Sequence, residues 1–162
     1  MATLYATNPL TGVAWSDTGP IFKPAAGVVA CAMGYYELAA NPSASDVIRF
    51  CKVPKGAIVF AGWLTGDDLD TGTETLDIDI GWEANGVDSA STAGFGNMGV
   101  LTGDVVTEVI PVASIWRPLQ GVLNTDGVKE LGAETWISGL VNATAAATGT
   151  GTISVKVLYV VP

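Results

Sequence analysis

The sequence contains no histidine, and its 162 residues include only 7 basic residues and 2 cysteines. Without histidine the chain lacks the side chain that most often serves as general base or metal ligand, and it cannot carry a histidine-containing catalytic triad. Two cysteines without histidine do not make a four-ligand zinc site, and they are too few for a disulfide-based fold. We therefore expect no enzyme, no cofactor and no metal centre.

Charge is also scarce and unbalanced. Charged residues make up 14% of the chain, and the formal net charge is −9. An acidic surface repels phosphate groups, so we expect no nucleic-acid partner. The first residues lack a basic start followed by an apolar run, which predicts no signal peptide. No apolar run reaches the length of about 18 residues that spans a bilayer, so we expect no membrane partner.

Turn-forming residues are abundant by contrast, with Gly 20 and Pro 8 separating short apolar stretches rich in β-branched residues. This pattern is typical of an all-β fold, and the length fits one domain. We predict an antiparallel β-sandwich, jelly-roll-like in topology, with an irregular N-terminal arm over residues 1–27 and a single domain over residues 28–162. The arm holds large apolar residues that pack either on their own domain or on a neighbouring subunit.

From residue 28 onward, strand-like segments alternate with turns. Apolar and polar residues alternate from Leu76 to Glu83, which predicts one face in the core and the other in water. The Pro-Lys-Gly link at 54–56 predicts a hairpin, and residues 91–98 are compatible with a short helix. The last two strands are expected to pair with each other, with the final one central in its sheet. The predicted strands are 28–38, 46–53, 57–65, 76–83, 121–124, 134–143 and 152–161.

Acidic residues cluster in one segment: eight of the 16 lie between Asp67 and Asp88, and no basic residue occurs from 56 to 116. Clustered carboxylates can bind calcium, but the segment lacks EF-hand spacing. We interpret it as a solvated turn and the outer face of a strand, and leave calcium open. Asp77 and Asp79 have the spacing of a glycosidase pair, which any two residues at i and i+2 share, and nothing indicates a sugar cleft.

The remaining candidates have structural interpretations. The basic cluster of Arg49, Lys52 and Lys55 is expected to form ion pairs or to promote solubility. Cys31 and Cys51 lie on predicted strands among apolar residues, where they are expected to be free buried thiols, with a disulfide as the alternative. The five tryptophans are expected to pack in the core or at a subunit interface, although exposed aromatic rings could also stack on sugars.

Three segments resemble small structural proteins of tailed-bacteriophage heads. They are Ser45–Leu64 (SDVIRFCKVPKGAIVFAGWL), Leu76–Glu83 with the acidic turn before it, and Gly149–Val161 (GTGTISVKVLYVV). The family is that of capsid decoration, or cement, proteins. The resemblance implies a jelly-roll-like sandwich with no catalytic residues. It also implies a homotrimer that is made in the host cytoplasm and lies on the outer capsid surface of the virion. There it would bind the major capsid protein and stabilise the head.

This function predicts contact residues in two places. The arm would reach the capsid or an adjacent subunit, and apolar strand faces would form the trimer interface. The alternatives are a phage tail or receptor-binding component and a carbohydrate-binding β-sandwich module. The candidate interface residues are Leu4, Tyr5, Trp15, Phe22, Phe50, Phe60 and Trp63.

Overall fold

The computed structural model describes residues 2–17, 19, 21, 24–67, 69, 75–101, 115–144 and 151–162. These residues form two mainly antiparallel sheets packed as a β-sandwich, which confirms the all-β prediction. Jelly-roll connectivity stays a prediction. In chain order the elements are β1 (Thr3–Tyr5), β2 (Thr7–Asn8), β3 (Val13–Ala14), β4 (Ala30–Leu38), β5 (Val47–Val53), β6 (Ala57–Gly66), β7 (Asp77–Trp82), β8 (Ser91–Val100), β9 (Ile115–Pro118), α1 (Val122–Thr125), β10 (Lys129–Leu131), β11 (Thr135–Ala143) and β12 (Gly151–Val160).

In the described part of the chain, one sheet has five strands and the other seven. The five-stranded sheet has the order β1-β5-β11-β7-β8, in which β1 runs parallel to β5 and the other pairs are antiparallel. The seven-stranded sheet has the order β10-β6-β12-β4-β2-β3, and β9 pairs with the second half of β6. The final strand, β12, lies between β6 and β4, which confirms its predicted central position.

The core lies between the two sheets and is filled mainly by the inward-facing residues of the longer strands. On β12 the residues from Ile153 to Tyr159 alternate, and every second side chain is at most 1% exposed. The sheets approach closely where β4 meets β5. A Cβ atom added at Gly34 would lie 1.9 Å from the Phe50 carbonyl oxygen, so only glycine fits at this position.

Two predicted strand pairings are wrong, although the strands themselves form. β5 belongs to the five-stranded sheet and β6 to the seven-stranded sheet, so residues 54–56 cross between the sheets and do not form a hairpin. β11 and β12 are also in different sheets. A short link containing proline and glycine fits either a hairpin or a corner of a sandwich, and long-range pairing decides between them.

Two local predictions are also wrong. Residues 91–98 lie in strand β8, because Gly94 and Gly96 disfavour a helix and β7 offers an edge for pairing. The predicted strand at 121–124 is a single helical turn, entered from Gly121 at a φ of 57°. No helix in the part of the chain that the structure describes is long and apolar enough to cross a membrane.

Candidate interaction surfaces

The N-terminal segment folds back onto its own sandwich. The amide of Ala6 donates to the Arg49 carbonyl at 2.8 Å, and Ala6 is 0% exposed. The indole nitrogen of Trp15 donates to the Met33 carbonyl at 3.1 Å. Leu4 and Trp15 both pack against the core. Leu4 and Trp15 therefore pack on their own domain, the first of the two places considered for the apolar side chains of this segment.

Arg49, on β5, ties this segment to the five-stranded sheet. Its Nε and Nη2 atoms donate to the two oxygens of Glu83, each at 2.7 Å, and its Nη1 donates to Tyr5 and Asp17, each at 2.8 Å. The guanidinium lies 5.4 Å from the ring centre of Tyr5 and 5.3 Å from that of Trp136. The hydrogen bonds that Arg49 donates to Glu83 raise the pKa of Arg49, and the hydrogen bond donated by the Tyr5 hydroxyl holds the pKa of Asp17 below its ordinary value.

Lys52, also on β5, forms a second link between the N-terminal segment and the five-stranded sheet. Its Nζ donates to the backbone oxygen of Asp17 at 2.5 Å and to Glu134 at 3.0 Å, and it lies 4.8 Å from the ring centre of Trp136. Lys52 is only 4% exposed, so its charge is satisfied inside the protein. For Arg49 and Lys52 the ion-pairing interpretation of the basic cluster is therefore confirmed.

The strand residues predicted for a trimer interface differ in position. Phe50 is 0% exposed and lies between the sheets, so its assignment to an interface is wrong: its side chain cannot contact a partner. Its place among apolar residues of a predicted strand fits a core position as well as an apolar interface, and only the packing of the two sheets decides between them. Phe60 and Trp63 are half-buried on β6, and Phe60 lies where the pairing with β12 shifts register. Phe22 lies outside the described residues.

The outer face of the seven-stranded sheet carries several apolar side chains. Trp63 is paired with Lys156 on β12, which is paired with Met33 on β4, so the three side chains form one row. Leu158 lies two residues further along β12 on the same face. Trp116, on β9, belongs to the neighbouring row and is 40% exposed, so of the two expected places for a tryptophan it does not occupy the core. We call this surface the outer apolar face.

A second apolar surface lies at the turn between β2 and β3. Leu10 is 79% exposed and Val13 is 64% exposed, so both side chains project into solvent. We call these two residues the hairpin tip. Beside the tip is a groove of about 600 Å³, bordered by β4. Its apolar lining includes Leu10, Trp15, Ile21, Val29 and Met33. The exposed position of Leu10 could not be predicted from the sequence, because a single leucine in a turn has no periodic signature.

The acidic segment is divided among different environments. Asp88 accepts hydrogen bonds from Asn85 at 2.8 Å, from Lys129 at 3.0 Å and from the amide of Gly132 at 2.8 Å, and the Asn85 bond is the main cause of its lowered pKa. Asp68, Asp70 and Glu74 lie outside the described residues. Among the residues that are described, no three His, Cys, Asp or Glu side chains come close enough to hold a metal.

The two cysteines are free thiols, so the disulfide alternative is wrong. Cys51 is buried and burial raises its pKa, whereas Cys31 is half-buried on β4. Trp82 and Trp136 are each 8% exposed, in agreement with packing as their role.

Comparison with solved structures shows that the chain shares its fold with chains of phage capsid structures. A chain of the cyanophage Pam1 capsid asymmetric unit matches with a TM-score of 0.63 and 24% identity, over 91% of this chain and 96% of that one. A chain of the Ralstonia phage GP4 capsid matches with a TM-score of 0.59 and 18% identity, over 88% of this chain and 92% of that one.

A third match is a chain of the acidic stable capsid structure of Helicobacter pylori bacteriophage KHP30. Its TM-score is 0.54 and its identity 14%, over 85% of this chain and 91% of that one. No protein-family model matches the sequence, and no curated protein matches it either. At these identities the likeness establishes the fold, and at that level the resemblance to phage head proteins is confirmed.

Proposed function

We propose that this chain is a non-enzymatic structural protein of a phage virion, which binds the outer surface of the capsid as a homotrimer and stabilises the head. The observation that carries the proposal is the match to a chain of the Pam1 capsid asymmetric unit, which covers 91% of this chain and 96% of that one. The likeness therefore extends over the whole sandwich of both chains, rather than over one shared motif. The partners are the major capsid protein and two further copies of the chain.

The hairpin tip is suited to contact the capsid. Leu10 and Val13 are 79% and 64% exposed, and burying one such side chain is worth about 1.5–3 kcal/mol. The tip is held by a segment that Arg49 and Lys52 tie to the sandwich, so little ordering entropy is lost on binding. Because a trimer presents three tips, weak individual contacts combine through effective concentration.

The outer apolar face is suited to contact between copies. Trp63 and Trp116 lie in neighbouring rows of this face. Aromatic side chains are enriched at the centres of protein interfaces, where they bury a large area with few rotatable bonds. Phe60 and Trp63 therefore stay proposed trimer contacts.

Capsid binding is tested with shells assembled from the major capsid protein of the same phage. The chain should co-sediment with these shells and raise the temperature at which they disassemble. Leu10→Asp should weaken binding at least tenfold. Val87→Asp is the matched control, since Val87 is also an exposed apolar residue, at 71%, and lies in a different turn. Equal binding by both variants would show that the hairpin tip is not the contact.

A point variant is the sharper test because a deletion would damage the fold. Removing residues 1–22 would uncover the core next to Ala6 and remove the bonds of Tyr5 and Asp17 to Arg49. Loss of capsid binding after deletion would then have two explanations.

The trimer is tested by light scattering on a sizing column and by cross-linking on shells. The mass should be three times the monomer mass of 16.6 kDa. Trp116→Ser should shift it toward monomer, whereas Val128→Ser, at a residue exposed to 43% against 40% for Trp116, should not. Monomers both in solution and on shells would contradict the trimer. Absence of shell binding together with glycan binding would favour a carbohydrate-binding module.

A further inference from the structure

Two carboxylates lie side by side on the outer face of β7. Ile78 and Ile80 are 0% exposed and face the core, so Asp77 and Asp79 face outward. Residues at i and i+2 of a strand are about 6.5–7 Å apart, so the two carboxylates are near neighbours. This outer face was expected to lie in water, and that expectation is wrong for Asp79, which is only 8% exposed.

Each carboxylate has one oxygen that is both buried and without a hydrogen-bond partner. These atoms are Asp77 Oδ1 and Asp79 Oδ1, and they are the two buried side-chain oxygen or nitrogen atoms of the described residues that lack a partner. A buried polar atom without a hydrogen bond is unfavourable, and a buried charge without a counter-charge is more so. Burial, together with the charge of Asp79, raises the pKa of Asp77.

No described ion pair supplies the missing positive charge. Arg49 pairs with Asp17 and Glu83, Lys52 with Glu134, and Lys129 with Asp88. The chain has no basic residue from position 56 to 116, so neither β7 nor β8 contributes one.

The neighbouring strands carry side chains with amide oxygens beside the pair, and such oxygens can act as metal ligands. In register, Asp79 lies between Leu140 of β11 and Asn97 of β8. Asn142, also on β11, donates a hydrogen bond to Asp77, which leaves its amide oxygen as an acceptor. Carboxylate and amide oxygens are the ligands that hard divalent cations prefer.

We propose that Asp77 and Asp79 bind a calcium ion, with amide oxygen and water completing the coordination. Calcium accepts six to eight oxygens in flexible geometry, which suits two strand carboxylates better than the strict octahedron of magnesium. With two charged ligands the site is weak, with a dissociation constant of about 10⁻⁴–10⁻³ M. The ion supplies the charge that the two unpartnered oxygens lack.

The test combines calorimetric titration of CaCl₂ into the full chain with thermal unfolding. In 10 mM CaCl₂ the melting temperature should rise by about 3–10 °C, and 10 mM MgCl₂ should raise it less. Asp79→Asn keeps the shape of the side chain and should abolish both the heat of binding and the shift. Glu130→Gln is the control, because it removes one negative charge at an exposed position of β10 and should leave both unchanged.

Three outcomes would overturn the proposal. One is a wild-type chain that gives neither heat nor a temperature shift with calcium. Another is an Asp79→Asn variant that responds as the wild type does, which would mean an adventitious ion only. The third is a chain that shows no response to calcium but is stabilised by acidification, which would mean that a proton on Asp77 takes the place of the ion. If Asp79→Asn does not fold, the half-buried Asp77→Asn replaces it. Capsid binding is measured separately, so failure here leaves the proposed function standing.

Discussion

Replacing Arg49 by methionine should destabilise the sandwich by about 2–4 kcal/mol. The variant loses both hydrogen bonds to Glu83, at 2.7 Å each, and the hydrogen bond that Nη1 donates to the Tyr5 hydroxyl at 2.8 Å. A hydrogen bond to a charged group contributes about 1.5–3 kcal/mol, and each aromatic contact of the guanidinium about 0.5–1 kcal/mol. The Asp17 side chain is 62% exposed, so its ion pair adds little. Because these contributions are not additive, the expected loss in the free energy of unfolding is smaller than their sum.

The assay is urea unfolding followed by tryptophan fluorescence and circular dichroism. The midpoint should fall with the slope unchanged, and the melting temperature should drop by about 5–15 °C. Arg49→Lys should give an intermediate loss, because lysine keeps the charge but cannot bind Glu83 with two parallel bonds. In a double-mutant cycle with Glu83→Gln, the coupling energy should be at least about 1 kcal/mol.

A loss below about 0.5 kcal/mol for Arg49→Met would refute this reasoning. It would mean that methionine packing between Tyr5 and Trp136 replaces the ionic bonds. A large loss with no coupling to Glu83 would refute a narrower point, the assignment of the effect to that pair.

Three further predictions concern the core and the acid response. Gly34→Ala should prevent folding or lower the melting temperature by more than 10 °C, because the new methyl would overlap the Phe50 carbonyl 1.9 Å away. Cys51 should resist Ellman's reagent in the native chain and react in urea, because it is buried with a raised pKa. The hydrogen bond from Asn85 is the main cause of the lowered pKa of Asp88, so the charged carboxylate stabilises the fold above pH of about 4. This stabilisation is lost as the pH falls through the pKa of the folded state. Asp88→Asn should therefore flatten the plot of melting temperature against pH between about pH 5 and 2.

Local pattern was sufficient to predict the strands whose burial is one-sided or complete. β7 was predicted because Leu76 to Trp82 alternate apolar and polar residues, and alternation depends only on the period of an extended backbone. β12 was predicted in its central position because its apolar residues are too many for an edge. The same logic failed for β8, where Ser, Thr and Gly carry no period, and for residues 121–124, where Gly121 starts a helical turn.

The sequence by itself determined the fold class, the exclusion of histidine-dependent chemistry and most strand positions. Composition and hydrophobic periodicity can be read from the sequence without any knowledge of tertiary contacts. Tertiary structure alone decided which sheet each strand joins, because short links such as 54–56 permit either a hairpin or a crossing between sheets. It also decided that Phe50 is core, that Arg49 holds the N-terminal segment, and that Asp79 is buried. Each of these features depends on contacts between groups that are far apart in the sequence, and such contacts cannot be predicted from a local sequence pattern.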